Sequence, residues 1–351
     1  MISMPISLLK PGMRLAKDVI LSDGRLLLLA GFAIKPLYIR KLEAFSVPNV
    51  FVEDGPFTPM EDFEEERVYN HAATTIKNIF SLTKNDNNVE VSAVRESVGE
   101  ILQKVIENET VMLQITGIRD IDNYTFLHSV DVCIYSTIIG KKLGFGKDLL
   151  MSLGMGAILH DIGKCKVPID ILQKPDKLSD NEFEQMKLHT IYGSEIIKNS
   201  YGLSFAIANI AFQHHEKWNG SGYPLGMTSN KIDLMSRIVS LVDVYDALTS
   251  DRVYKKKELP HVAAEYIKNN SNILFDPFIV DLFINCIAVY GEGTIVLLNT
   301  GELGSIISSH NVGSIRQKVN VFSTKCGPPV LQPYIIDLSE HKDVEIVEIF
   351  V

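Results

Sequence analysis

Cysteine is scarce. Four thiols, Cys133, Cys165, Cys286 and Cys326, are spread over 351 residues without a C-x-x-C pair. That spacing suits a reducing compartment and argues against a cysteine-ligated zinc, so the four are expected to be buried thiols. Positive charge is also short. The formal net charge of −9 argues against an electropositive surface for a nucleic acid polymer or anionic lipid, although local basic residues can still grip phosphates. A basic leader and a long apolar run are both missing, and the run from Leu26 to Ala30 is far too short to cross a bilayer. The expectation is a chain without membrane insertion, in the cytoplasm.

A hydrophobic share of 46% is ample for burial, and the length points to two or three domains. Residues 1–58 alternate short apolar pieces with turn signals. Val19 to Leu21 and Leu26 to Leu29 flank Asp23-Gly24 as a β-hairpin would, in a small mixed α/β module. Residues 59–118 form a helical connector, broken at Asn85 to Asn88. Its stripe of Val94, Val98, Ile101, Leu102 and Val105 is amphipathic, and this segment is where a homodimer would make contacts. Residues 119–292 are helical by pattern almost throughout. Residues 293–351 carry short β-prone runs, Thr294 to Leu298, Gly304 to Ser308, Val319 to Phe322 and Tyr334 to Leu338, read as a small antiparallel sheet. The expected class is mainly α, a helical bundle core with a small α/β module before it and a β-rich module after it.

The helical core holds six of the nine histidines: His128, His160, His189, His214, His215 and His261. Leu159-His160-Asp161-Ile162-Gly163-Lys164 closes an apolar stretch that reads as a buried helix. Near a helix end His160 and Asp161 can face one site, the carboxylate bridging two cations and the imidazole offering one nitrogen. Alone, such a pair reads as an aspartate orienting a structural histidine. His128 and His189 would each pass alone for core histidines. His189 follows a capping box, Ser179 to Glu182, with Phe183, Met186, Ile196 and Ile197 as expected buried neighbours. His214-His215-Glu216 is followed at once by the loop from Trp218 to Pro224, and loops at helix ends are where sites are built. Asp243 lies in an apolar helix and needs a partner, either a cation or an ion pair with Arg237 or Arg252. Five histidines and two aspartates from at least four helices suit a two-metal site in a helical bundle. Nitrogen and carboxylate donors without thiolate favour iron, manganese or zinc.

His160-Asp161-Ile162-Gly163-Lys164, then His189, then His214-His215-Glu216 through Gly222-Tyr223-Pro224, then Arg237-Ile238 and Asp243 to Ser250 resemble the HD-GYP family of metal-dependent phosphohydrolases. The resemblance runs from about Arg119 to Tyr290, and the joint match is far more specific than a lone His-Asp. It implies an HD-type helical fold, a pair of divalent metals, iron or manganese, and hydrolysis of cyclic di-GMP to pGpG or GMP. Carried over, His128, His160, Asp161 and Asp243 would hold one metal, and Asp161 with His189, His214 and His215 the other. Lys164, Arg252 and Lys255 match the family's phosphate-binding positions, and Gly222, Tyr223 and Pro224 shape the loop beside the substrate. Some members bind a third metal through a carboxylate one turn before the first histidine; Tyr124 stands there, so two metals per chain are expected. Arg252 and Lys255 read by spacing alone as equally consistent with surface exposure, and Trp218 either stacks on a base or plugs the loop. Another cyclic dinucleotide such as cyclic GMP-AMP is the rival substrate, and a non-hydrolysing cyclic-dinucleotide sensor is the rival from another class.

Overall fold

The computed structural model describes residues 1–17, 19–20, 26–28, 34, 38–39, 42–43, 47–53, 64–85, 91–116, 124–174, 176–250, 257–286, 290, 294–307, 315–324 and 333–350. They form two compact units. One is built from both ends of the chain, Met1–Glu64 with Tyr290–Ser309 and Arg316–Val351; the other is Glu65–Val289 with His310–Ile315.

In the first unit, β1 (Ile2–Pro5) pairs antiparallel with β4 (Asn49–Val52), and β2 (Val19–Ile20) with β3 (Leu26–Leu28). The expected hairpin is therefore present, although its Asp23-Gly24 turn lies outside the described residues. On β4 only Val50 and Val52 are buried, with Leu15, Ile34 and Leu42 among their core neighbours. The later strands are β5 (Ile295–Leu298), β6 (Glu302–Ile307), β7 (Lys318–Thr324), β8 (Tyr334–Asp337) and β9 (Ile346–Phe350), in the antiparallel order β8-β7-β6-β5-β9. All four residues of β5 are buried. β9 was not among the expected strands, and it pairs with β5 rather than extending past β8. β3 also lies against β9, joining the two ends of the chain.

The second unit is helical: α1 (Glu64–Lys84), α2 (Val91–Ile115), α3 (Tyr124–Lys142), α4 (Lys147–Leu159), α5 (Ile169–Leu172), α6 (Asp180–Lys187), α7 (His189–Glu195), α8 (Phe205–Gln213), α9 (Leu234–Thr249), α10 (Pro260–Asn269) and α11 (Pro277–Cys286). The α2 stripe Val94, Val98, Ile101, Leu102 and Val105 is wholly buried in this core. α4 is buried from Leu153 to Leu159, because Gly154 and Gly156 let the Val98 and Ile210 side chains close on its backbone. Side chains on those two glycines would overfill a core already at native density. No described helix is long and apolar enough to cross a membrane.

Two expectations need correction. Phe183 is exposed and Met186 only half-buried, because α6 buries none of its residues, and the Phe183 ring turns instead to Tyr223. Cys133 is buried, but Cys165 in a 3₁₀ turn and Cys286 at the end of α11 are only half-buried; Cys326 lies outside the described residues.

Candidate metal centre

The donors come from element ends and facing helix sides. His128 projects from α3 and Asp243 from α9, both long helices of the core. α4 stops at Leu159, and a 3₁₀ turn over Ile162–Lys166 follows, so His160 and Asp161 sit at the break. Gly163 in that turn packs directly on the backbone of His189 and Gly193, which brings the start of α7 against the end of α4. His214 and His215 follow the last residue of α8. The seven side chains fall into two groups, Asp161 with His189, His214 and His215, and His128 with His160 and Asp243; within each, donor atoms lie within 4.8 Å of one another.

Asp161 faces both groups. Its Oδ1 is 3.5 Å from His189 Nε2 and 3.8 Å from His214 Nε2, and its Oδ2 is 3.3 Å from His160 Nε2 and bonded to the Lys164 ammonium. Asp243 Oδ1 lies 3.1 Å from His128 Nε2 and 4.0 Å from His160 Nε2, and its Oδ2 lies 4.0 Å from His215 Nδ1. Arg237 instead pairs with Asp276, so the ion pair considered for Asp243 does not form with that residue. His160, His189 and His214 donate Nδ1–H to the carbonyls of Ala157, Met186 and Ala211 at 2.7, 2.7 and 2.9 Å. Each bond leaves the Nε2 lone pair facing the centre. Asp161 Oδ1 and His160 Nε2 are buried without a hydrogen-bond partner. Buried acceptors without a partner are costly in a protein interior, and a divalent cation satisfies them. The donor set therefore fits divalent metals.

The electrostatics agree. Burial pulls the His189 and His214 imidazoles below their usual range and takes His215 to about 3, so all three are neutral. Burial opposes the charge on Asp161 and Asp243, but Lys164 and His160 hold the first well below the usual carboxylate range, and His128 the second. His128 is the exception: burial lowers it, yet Asp246 and Asp243 together lift it to about 9. At pH 7 the metal-free protein thus carries a proton on His128 that a cation must displace. Metal loading at pH 7 should release about one proton per chain, and affinity should rise with pH until about 9, beyond which release ceases. Calorimetric titration in buffers of different ionisation heat measures this; release of none, or of three, at pH 7 contradicts it.

The loop after His215 is folded back on its own start. Glu216, itself buried, accepts from the backbone amides of Leu225 at 2.7 Å and Met227 at 2.8 Å. A β-carbon on Gly222 would overlap the His215 carbonyl and the Lys217 amide, so only glycine allows this close approach. The fold-back sets the Tyr223 ring 4.8 Å from that of His215, with the Phe183 ring 6.1 Å further out. Lys187 Nζ stands 5.6 Å from the centre of the Tyr223 ring. Trp218 donates Nε1–H to Asn272 at 3.1 Å and stacks under Arg237, which fits the plug rather than a free stacking surface. Arg252 and Lys255 lie outside the described residues, as does the side chain of Tyr124. Sequence reasoning gave no site role to Glu216, Phe183, Lys187 or Asp246. Asp246 was recoverable, since it lies one helical turn from Asp243 on the same face.

Residues 100–279 match the HD domain family. The chain is 30% identical over 304 residues to the cyclic di-GMP phosphodiesterase PA4108 of Pseudomonas aeruginosa, covering 85% of this chain and 73% of that one. It is 36% identical over 156 residues to the 3'3'-cGAMP-specific phosphodiesterase 3 of Vibrio cholerae, covering 44% of this chain and 33% of that one. Among solved structures, Bd1817, a HDG"Y"P protein from Bdellovibrio bacteriovorus, superposes with a TM-score of 0.53 over 80% of this chain and 97% of its own, at 18% identity, a likeness of fold.

Proposed function

The chain belongs to the HD-domain family, in its HD-GYP group, and on that premise we propose that it hydrolyses cyclic di-GMP to pGpG or GMP with two divalent metals, iron or manganese. The observation that carries this reading is Asp161, a buried carboxylate with an unpartnered oxygen, facing one histidine group with each side. His128, His160, Asp161 and Asp243 are assigned to one ion, and Asp161, His189, His214 and His215 to the other. When bound, such a pair supplies a water activated near neutral pH and neutralises phosphodiester oxygens.

The chain's own groups do the rest. Lys164 is held by Asp161 yet keeps part of its side chain exposed, so its ammonium offsets charge developing on the phosphoryl oxygens. Arg252 and Lys255 are assigned to the second phosphate, Arg as a planar fork and Lys as a point charge. Gly222 and Pro224 shape the loop that presents Tyr223 to the substrate. Replacing Lys164 by alanine should leave metal content unchanged and lower kcat by about 10²-fold. Loss of metal in that variant would reassign Lys164 to building the site.

A cytoplasmic enzyme, homodimeric in solution, completes the proposal. The test is chromatography of products after anaerobic incubation with iron or manganese and, separately, cyclic di-GMP and cyclic GMP-AMP. Release of pGpG or GMP from cyclic di-GMP supports the reading, and preferential cleavage of cyclic GMP-AMP transfers it to that substrate. Tight binding of either nucleotide with no product over hours defeats it in favour of a sensor.

A further inference from the structure

We propose that Asp246 is the positioning residue for the His128 half of the centre, fixing which nitrogen of His128 faces the metal and strengthening it as a donor. The inference rests on the metal assignment above.

The support is a difference among the histidines. His160, His189 and His214 each anchor Nδ1 on a carbonyl three residues earlier in their own segment, so their orientation is encoded locally. His128 differs in its partner: its Nδ1 bonds the carboxylate of Asp246, a residue 118 positions away on α9. The same helix supplies Asp243, whose Oδ1 is 3.1 Å from the opposite ring nitrogen, Nε2. Asp243 and Asp246 are three residues apart and so share a face of α9. One helix face therefore grips both nitrogens of an imidazole belonging to another helix.

The two carboxylates differ in what they are free to do. Asp243 borders the centre with His160 and His215, whereas Asp246 is 2% exposed and belongs to neither donor group. A buried carboxylate is tolerated where it is paired, and by holding Nδ1–H it leaves Nε2, on the Asp243 side, as the nitrogen open to a cation. A carboxylate also polarises the ring more strongly than a carbonyl does, which makes His128 the more basic donor. The two halves of the centre should consequently depend on Asp246 unequally.

The test is metal binding, read without turnover. The purified full chain is stripped and titrated with manganese(II), following stoichiometry by elemental analysis and the spin-coupled pair by electron paramagnetic resonance. The unaltered protein should take two ions and show the coupled signal. Asp246→Ala should keep one ion near its original affinity, weaken the second by roughly 10–100-fold, and show an isolated-ion spectrum where the parent is coupled. Asp246→Asn retains an acceptor for Nδ1–H without the charge, so it should restore the coupled signal at about tenfold higher manganese. Asp246→Ala that fills both sites as the parent does overturns the proposal, and so does parallel loss of both ions. If the alanine variant fails to fold, Asp246→Asn decides: unchanged affinity for the second ion overturns it. Failure of the parent protein to bind any divalent ion defeats the metal assignment instead.

Discussion

Replacing Asp161 by alanine should remove metal and hydrolysis together, lowering kcat/KM on the order of 10³-fold or more. Its two oxygens divide between the donor groups, Oδ1 toward His189 and His214 and Oδ2 toward His160 and Lys164, at shorter range than Asp243, whose Oδ2 is 4.0 Å from His215. Without it, the group of His189, His214 and His215 has no carboxylate of its own and stands beside an ammonium that repels cations, leaving Asp243 in the other group as the remaining carboxylate. Asp161→Asn is the sharper variant. It keeps the volume but offers an amide N–H or an uncharged oxygen where the centre holds an anion, and it should lose metal nearly as completely. Elemental analysis and product formation from the same preparation measure both effects. Retention of two ions, or hydrolysis within a few-fold of the parent, would remove Asp161 from the bridging position.

Gly163→Ala should destabilise the helical unit by about 1–3 kcal/mol and weaken the half of the centre that contains His189. A β-carbon there would overlap the His189 carbonyl oxygen and the Gly193 amide nitrogen and stand 2.9 Å from the Gly193 α-carbon. Those are backbone atoms, so no rotamer change relieves the clash; the 3₁₀ turn and α7 have to separate. His189 would move with α7 while His214 stays on α8, which spoils a constellation that tolerates little displacement. Gly146→Ala is the control: nothing lies within 4 Å of its β-carbon position, and its φ of −68° is open to any residue, so its effect should stay within about ±0.5 kcal/mol. Urea unfolding with metal analysis compares the two. Equal stability would show that the approach of α7 to the turn is looser than described.

Much of this was legible beforehand, for identifiable reasons. The amphipathic helix α2, the Ser179–Glu182 capping box and four of the five strands of the later sheet followed from periodicity and turn chemistry, which are local. The donor residues stood out because histidines crowd into one helical region, and chemistry that needs nitrogen and carboxylate together leaves that trace. What escaped was non-local. β9 is short, Ile346-Val347-Glu348-Ile349-Phe350, and it forms a strand by pairing with β5. Phe183 looked like core because it is apolar at helical spacing, but its partner is Tyr223, forty residues on by sequence and adjacent only once the loop folds back. Glu216 seemed a polar neighbour of two histidines; its work is done on the amides of Leu225 and Met227, which no spacing rule anticipates. Asp246 was overshadowed by Asp243, since a helix face is visible in sequence but the imidazole it grips is not.

The unit assembled from both ends of the chain sets a timetable for biosynthesis. The strand pair β1 and β4 can form as soon as Val52 has been made, whereas β3 must wait for Ile346 and the residues after it, an interval of about 15–60 s at ribosomal rates of ~5–20 residues per second. Both candidate donor groups, from His128 to Asp243, are translated within that interval, so the helical unit can be finished on the ribosome while the other unit is still waiting for β9.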